Sequence, residues 1–276
     1  MAALGRTTPW VYVPAMLVVV AAAFPFAWML LSSIKTIGEL YTVPPAWLPE
    51  APTLANYTKV LFASNIPRYF LNSVVIAVGS TAIALVLAIF AAYGFARFEF
   101  RGKLLAQGFV LVGQLLPTAA IIVPLYVVLS AAGLVNTWAG LILVYLIITL
   151  PLSVWMLIGY FRTIPIELEE AAIMDGASRL GILFRINLPL ALPGIVAVVI
   201  YAFVTTWNEF IFALCLSTDS QSRTLPIGLA EFATEFNVDW GAVMAASVIM
   251  TLPITIMFFA MQNLFIGGLT AGATKG

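Results

Sequence analysis

Six long apolar runs limit what this chain can fold into more than any other feature of its sequence. A helix needs roughly 20 apolar residues to cross the hydrocarbon core of a bilayer. Only 9% of the 276 residues are charged, against about a quarter in a soluble domain, so lipid is the expected solvent for most of the surface. The sequence predicts an all-α integral membrane fold, a single domain over 1–276, with six transmembrane helices at about 11–31, 72–95, 104–129, 138–161, 190–214 and 241–266.

The composition excludes several classes of function. The chain has no histidine and Cys215 is its one cysteine, so it cannot build a Cys/His metal site, an internal disulfide or a Ser-His-Asp triad. Its net charge is zero, which gives no basis for binding nucleic acid, and it contains no G-x-x-x-x-G-K-[ST] loop for ATP. We therefore expect a protein that is not an enzyme and holds no metal or cofactor of its own.

Prolines recur in or beside the apolar runs, and each removes a backbone donor that an unbroken helix would use. Such kinks are tolerated in a membrane where neighbouring helices or water satisfy the freed groups. The prolines therefore indicate helices packed around a cavity, or else they mark helix ends. They are Pro117, Pro124, Pro151, Pro193 and Pro253.

Basic residues are divided unequally between the two sets of connecting segments, and the richer set is expected on the cytoplasmic side. Both termini are then cytoplasmic, and segments 32–71 and 215–240 lie outside. The first of these is proline-rich and should form an ordered loop. The richer set has eight basic residues, Arg6, Arg97, Arg101, Lys103, Arg162, Arg179, Arg185 and Lys275, and the other has four, Lys35, Lys59, Arg68 and Arg223.

One charged segment, 162–189, interrupts the apolar chain between the fourth and fifth runs. Pro165 suits the first turn of a helix, Gly176 can end that helix, and Ser178 can cap a second helix that runs to about Leu188. A helix–turn–helix is therefore predicted. Its acidic first helix could rest on the membrane surface, but surface helices usually carry lysine and arginine on the polar face, so a protein partner is favoured.

Within this loop, Glu170-Ala171-Ala172 precedes Gly176, and Ile186-x-Leu188-Pro189 follows after nine more residues. The pattern resembles the EAA loop of the inner-membrane permeases of ABC importers. Segments 91–98, 136–142 and 207–210 are similar to the carbohydrate uptake branch of that family, and 268–276 is similar to the tail of the second permease subunit of maltose importers.

The resemblance implies a type I ABC importer permease in the cytoplasmic membrane of a bacterium or archaeon. Its implied partners are a sister permease, two ATP-binding cassette subunits that hold ATP and Mg²⁺, and an extracytoplasmic substrate-binding protein. Glu170 would meet a basic residue of one ATPase subunit, and the tail 269–276 would insert towards the ATPase interface unless it is a frayed terminus. The residues implied in coupling are Glu170, Ala171, Ala172, Asp175, Gly176, Ile186, Leu188 and Pro189.

An ionisable side chain inside a span needs a reason, because it costs about 2.5–3.5 kcal/mol at the centre of the bilayer. Glu209 in the fifth run is the strongest candidate for the substrate path. With Asn208 it could bond sugar hydroxyls while Trp207 or Phe210 stacks on the sugar ring; it could also pair with the sister subunit or face the headgroups. Gln114 in the third run could line the path or make a helix–helix hydrogen bond.

The sequence thus predicts a permease subunit whose substrate is a sugar. A permease of the same type for glycerol phosphate or a polyol is the alternative. The predicted spans contain no arginine or lysine that could bind a phosphate group, which disfavours a phosphate ester. A secondary transporter would be expected to show internal repeats and coupling charges in several spans. A membrane-embedded enzyme would need titratable groups clustered at one depth, and the apolar runs offer none.

Overall fold

The computed structural model describes residues 12–115, 117–234 and 238–273, with side chains as far as Leu264 in the last stretch. Within these residues the regular structure is helical, apart from one isolated bridge between Ala233 and Val238. A π-helical segment, Leu183–Asn187, joins α9 to α10. The helices are α1 (Tyr12–Ser33), α2 (Ile37–Leu40), α3 (Ala55–Phe62), α4 (Ile66–Arg97), α5 (Lys103–Leu115), α6 (Thr118–Ala131), α7 (Trp138–Thr163), α8 (Ile166–Met174), α9 (Arg179–Ile182), α10 (Leu188–Leu190), α11 (Leu192–Trp207), α12 (Ile211–Leu216), α13 (Leu225–Glu231) and α14 (Trp240–Ala273).

Four of the described helices are long and apolar enough to cross a membrane: α1, α4, α7 and the part of α14 from Trp240 to Leu264. Two bent pairs pass the same test together, α5 with α6 at 98° and Arg179–Leu190 with α11 at 79°. The described part of the chain therefore carries four candidate spans, or six if each bent pair counts as one. The predicted all-α class is confirmed, and the number six stays a prediction.

The third predicted span, 104–129, is not one straight helix. The helix α5 ends at Leu115, and Pro117 stands before α6 in an extended conformation, with φ −62° and ψ 130°. Proline has no N–H for the hydrogen-bond ladder of the preceding helix, and its ring clashes with the preceding turn. The bend therefore falls at Pro117, whereas Pro124 lies inside α6.

The fifth predicted span, 190–214, is wrong as a continuous helix. The helix α11 ends at Trp207, residues 208–210 lie outside any helix, and α12 starts at Ile211. Pro193 stands in the first turn of α11, where the missing N–H leaves no helical bond unmade. It therefore belongs to a helix start, as one of the two interpretations of the prolines predicts.

The chain divides into two compact units, the described residues of Met1–Pro67 with Gly228–Leu252 and those of Arg68–Ile227 with Pro253–Gly276. In the first unit the buried Lys35 donates from Nζ to the Ala46 carbonyl at 2.5 Å and lies 4.4 Å from the centre of the Trp28 ring. Asn56 of α3 donates to the carbonyls of Ser33 and Lys35. These bonds tie the proline-rich loop to the end of α1, as expected of an ordered loop.

Asp239 fixes the start of α14 in the same unit. Its Oδ1 accepts a hydrogen bond from the Ala242 N–H at 3.1 Å, and its Oδ2 pairs with the Lys59 ammonium. Burial raises the pKa of this carboxyl, but the hydrogen bonds from Lys59 and from the Ala242 and Gly241 amides outweigh burial and hold the pKa of Asp239 below its usual value. The helix cap is therefore present at neutral pH and is lost only as the pH falls through that lowered value.

One hydrophobic core of the second unit lies between α4, α7 and α11. Small residues on α4, Ala88 and Ala92, are fully buried against Leu157 and Phe161 of α7, and Val198 of α11 joins the same cluster. Small side chains let helices approach closely in a membrane, where dispersion and close packing replace the hydrophobic effect as the force between helices. This core packs the C-terminal half of α4 against the C-terminal half of α7. The sequence predicts that these helix ends lie on the cytoplasmic side.

Gly194→Val is expected to lower the thermal stability of the protein in detergent by about 1–3 kcal/mol, as overpacking does in a close-packed interior. A Cβ at Gly194 of α11 would lie 2.3 Å from the ring of Tyr160 of α7, and the ring carbon that it meets is the one bonded to the Tyr160 Cβ. The control is Gly159→Val in α7, where an added Cβ meets nothing within 4 Å. Equal melting temperatures for the two variants would contradict a close α7–α11 contact at Gly194.

Candidate functional site

In the loop after α7, residues close in sequence determine where the helix α8 starts and where it ends. Ile164 and Pro165 are extended, and α8 then runs from Ile166 to Met174. Gly176 has φ +82°, a left-handed conformation that glycine adopts without the penalty of a Cβ. The Ala177 N–H bonds the Ala172 carbonyl at 2.9 Å and the Gly176 N–H bonds the Ile173 carbonyl at 3.0 Å, which is the Schellman arrangement at a helix C-terminus. The helix end predicted at Gly176 is confirmed.

The second helix of the loop starts at the predicted cap. The Ser178 hydroxyl accepts a hydrogen bond from the Gly181 N–H at 3.1 Å, and α9 continues through the π-helical segment into α10. The sequence predicts helix to about Leu188, but it does not predict the π form. Asn187, the last residue of this segment, is fully buried, and both polar atoms of its amide lack a hydrogen-bond partner among the described residues.

The residues implied in ATPase coupling fall into two groups. Glu170, Ala171, Asp175 and Gly176 are exposed, and Ala172 is half-buried, so the helix end and its turn form one accessible surface. The second group lies further along, with Ile186 in the π-helical segment and Leu188 and Pro189 in α10; of these only Pro189 is exposed. Their contact with a partner subunit stays a prediction.

Glu169 is a residue of this loop that sequence reasoning did not single out. Its side chain is 2% exposed and forms an ion pair with Arg97, the last residue of α4, at 2.5 Å. Neighbouring residues on an α-helix point about 100° apart, so Glu169 and Glu170 cannot face the same direction. The two side chains therefore point in different directions from α8, and a basic residue stands at the end of a preceding span. These two facts are the signal in the sequence that could have identified Glu169 as the buried glutamate and Glu170 as the exposed one.

Glu209 lies in the break between α11 and α12, and its side chain caps the start of α12. Its Oε1 accepts a hydrogen bond from the Phe212 N–H at 2.8 Å, and its Oε2 accepts from the Ala213 N–H at 3.0 Å and from the Tyr145 hydroxyl at 2.9 Å. The carboxylate therefore satisfies the first N–H groups of α12, which have no partner within that helix. Sequence reasoning found the unusual charge but assigned it no capping role.

The other residues predicted for the substrate path differ in access. Trp207 is 1% exposed and packs on Phe203 and Phe70, with ring centres 5.5 and 5.8 Å away. Its ring is enclosed in this conformation, which leaves no face open for a sugar. Asn208 and Phe210 are exposed beside Glu209.

Gln114 lies on α5 and makes the helix–helix hydrogen bond that was one of its two interpretations. Its Nε2 donates to the Ile148 carbonyl of α7 at 2.6 Å. No group of three or more acidic or cysteine side chains among the described residues is placed to hold a metal ion. The helix α14 extends to Ala273, and the last three residues of the predicted tail insertion, 274–276, lie outside the described residues.

Residues 84–269 match the family described as "Binding-protein-dependent transport system inner membrane component", and the chain belongs to this family. The matched region begins within α4 and includes the whole of α8, the Schellman turn and the α11–α12 break. The family resemblance predicted from the EAA spacing is confirmed.

Two relatives cover nearly the whole chain. The sulfoquinovosyl glycerol transport system permease protein SmoH of Agrobacterium fabrum is 36% identical over 268 residues, which cover 97% of this chain and 94% of the relative. The trehalose/maltose transport system permease protein MalG of Thermococcus litoralis is 39% identical over 265 residues, which cover 95% of each. A crystal structure of a bacterial ABC transporter involved in the import of the acidic polysaccharide alginate has a TM-score of 0.81 at 20% identity, covering 96% of this chain and 100% of that chain. The last likeness is one of fold.

Proposed function

We propose that this chain is the transmembrane permease subunit of an ATP-driven, binding-protein-dependent importer of a sugar. The observation that carries the proposal is the exposed second half of α8, where Glu170, Ala171 and the glycine turn are presented on a helix that is held by one buried residue, Glu169. Small residues beside carboxylates suit a partner whose backbone approaches closely and whose basic groups pair with the acids. Membership of the family and sugar-transporting relatives at 36% and 39% identity support the same function.

In this function the chain itself carries out no covalent chemistry. ATP and Mg²⁺ are held by the two ATPase subunits, a binding protein delivers the sugar to the outer face, and a sister permease completes the path through the membrane. The loop from Arg162 to Pro189 lies in the cytoplasm with both termini, and the exposed surface of α8 docks on an ATPase subunit. Closure of the ATPase subunits moves α8, and access to the path alternates between the two sides.

The polar break after Trp207 supports a place for this chain in the path. Exposed Asn208 and Phe210 stand beside a carboxylate whose oxygens are already engaged. We propose that the solute meets the Asn208 amide and the Phe210 ring here, while Glu209 keeps the backbone of the break in shape. Aromatic faces and amide groups together suit a ring that carries hydroxyls.

The function is tested by purifying the binding protein that copurifies with the complete transporter and identifying its bound ligand by mass spectrometry. Membrane vesicles that contain the complete transporter are then assayed for uptake of that ligand with and without ATP. The expected result is a mono-, di- or oligosaccharide whose uptake requires both ATP and the binding protein. If the bound ligand is a phosphate ester or a polyol, the substrate is one of the alternatives and not a sugar. Uptake that needs no ATP would overturn the importer function.

A further inference from the structure

Two side chains of α4, one backbone carbonyl before α8 and one carboxylate on α8 form a buried polar cluster beneath the exposed surface of α8. Arg97 donates from Nε to Glu169 Oε1 at 2.5 Å and from Nη2 to the Ile164 carbonyl at 2.9 Å. The Arg97 and Glu169 side chains are 7% and 2% exposed. The Arg97 guanidinium therefore contacts α8 at two points: the Ile164 carbonyl, which precedes the helix, and Glu169, the fourth residue of the helix.

Tyr93, one turn before Arg97 on α4, completes this cluster. Its hydroxyl donates to Glu169 Oε2 at 3.3 Å, so both carboxylate oxygens are engaged by α4. The Tyr93 ring packs edge-on against Phe161, near the end of α7, with centres 6.0 Å apart. We name Tyr93, Arg97, Glu169 and the Ile164 carbonyl the α4–α8 clamp.

The clamp is a stiff connection because breaking it leaves a charge buried without a partner, which is strongly unfavourable. The helix α8 has only nine residues, too few to be stable in isolation, and its C-terminus ends in the glycine turn. The direction of α8 is therefore set by side chains that reach it from α4. Because Glu169 is held inward, the successive residues Glu170 and Ala171 are held outward.

We propose that the α4–α8 clamp is the connection through which a displacement of α8 by the ATPase is passed to α4. This inference rests on the proposed function, because it takes α8 as the element that the ATPase moves. Glu169, Arg97 and Tyr93 are then positioning residues that act through Glu170 and its neighbours. The short segments on either side of α8 join it to α7 and α9, whereas the clamp adds α4, a helix of 32 residues that is apolar enough to span the membrane.

The first test measures hydrogen–deuterium exchange of residues 166–174 in the purified complex in lipid nanodiscs. Glu169→Gln removes the charge that pairs with Arg97, and exchange in α8 is expected to become at least about tenfold faster. The matched control is Glu167→Gln, the same chemical change on the same helix at an exposed residue. Equal exchange in the two variants would overturn the clamp.

The second test measures sugar taken up per ATP hydrolysed after the same complexes are reconstituted into sealed proteoliposomes. In complexes that retain the ATPase subunits, Glu169→Gln is expected to lose at least about tenfold in this ratio, since a buried pair has lost one partner. Glu167→Gln should keep the wild-type ratio. A wild-type ratio for Glu169→Gln would overturn the proposed transmission to α4.

Milder variants keep the test decisive if Glu169→Gln fails to assemble. Glu169→Asp keeps the charge but shortens the side chain, and Tyr93→Phe removes one hydrogen bond while keeping the ring against Phe161. Each should lower the ratio, and together they should lower it more than either alone; wild-type ratios in both would overturn the proposal.

Glu170→Lys in the same complexes separates the clamp from the function on which it rests. If Glu170→Lys disrupts the ATPase contact while the Glu169 variants behave as wild type, only the clamp fails. If Glu170→Lys remains attached and fully coupled, the docking role of α8 fails.

Discussion

Glu170→Lys is expected to release the ATPase subunit from the complex, or to leave it bound without driving uptake. Glu170 is exposed in the middle of α8, a helix whose direction is fixed by its buried neighbour Glu169. A lysine there would face the basic group that the carboxylate is expected to meet, and like charges across an interface cost several kcal/mol. That corresponds to a loss of affinity on the order of a hundredfold or more.

Copurification of the ATPase with the affinity-tagged chain measures the attachment, and uptake in vesicles measures the coupling. Glu167→Gln, which changes an exposed acid on the same helix, is the control and should behave as wild type. Full assembly together with normal transport in Glu170→Lys would contradict the coupling role of the loop.

Gly176 offers a second variant at the same surface that acts through the backbone. Its φ of +82° is strained for a residue with a Cβ, although an added Cβ would meet no neighbouring atom within 4 Å. Gly176→Val should therefore reshape the turn and uncouple the transporter, whereas Gly176→Asn, which tolerates the left-handed conformation, should retain most of the activity. Identical behaviour of the two variants would show that the turn geometry is unimportant for coupling.

Glu209→Gln is expected to destabilise the protein by about 1–3 kcal/mol, because an amide cannot accept three hydrogen bonds as the charged carboxylate does. The amide nitrogen would face an N–H or a hydroxyl donor, and a buried donor would lose its partner. Transport should also change, since the break between α11 and α12 loses its cap, while the ATPase subunits stay attached. Thermal unfolding in detergent and uptake kinetics measure the two effects.

Tyr145→Phe and the double variant complete a thermodynamic cycle for this site. The Tyr145 hydroxyl donates to Glu209 Oε2 at 2.9 Å, so the two substitutions should be non-additive. Asn208→Ala is the control for stability, because Asn208 is exposed and, among the described residues, its side chain bonds only the Val204 carbonyl in its own helix turn. Unchanged uptake kinetics in Glu209→Gln would remove Glu209 from the path, and unchanged stability would contradict its capping role.

The parts of this protein that the sequence predicts well depend on residues close together in the chain. Pro165, Gly176 and Ser178 act on the backbone within a few positions, and the start of α8, its end and the start of α9 fall where these residues predict. The apolar runs predict helices for the same reason, since length and hydropathy are local properties.

The features that sequence reasoning misses depend on residues far apart in the chain. Glu169 is distinguished from Glu170 by Arg97, 72 positions earlier, and no local pattern shows this pairing. The break after Trp207 escapes a hydropathy window because its neighbours are apolar, and its stability depends on Tyr145 of another helix. The enclosure of the Trp207 ring by Phe70 is likewise a tertiary contact.

The turn after α8 is closed by hydrogen bonds between main-chain atoms, and only Gly176 is required there for its backbone conformation. Met174, Asp175 and Ala177 are exposed, and the fold makes no use of their side chains in closing the turn. The chemical identity of this surface can therefore drift in evolution while the helix end stays the same. Under the proposed function, a few substitutions in the turn would match the permease to a different ATPase without any change in its long apolar helices.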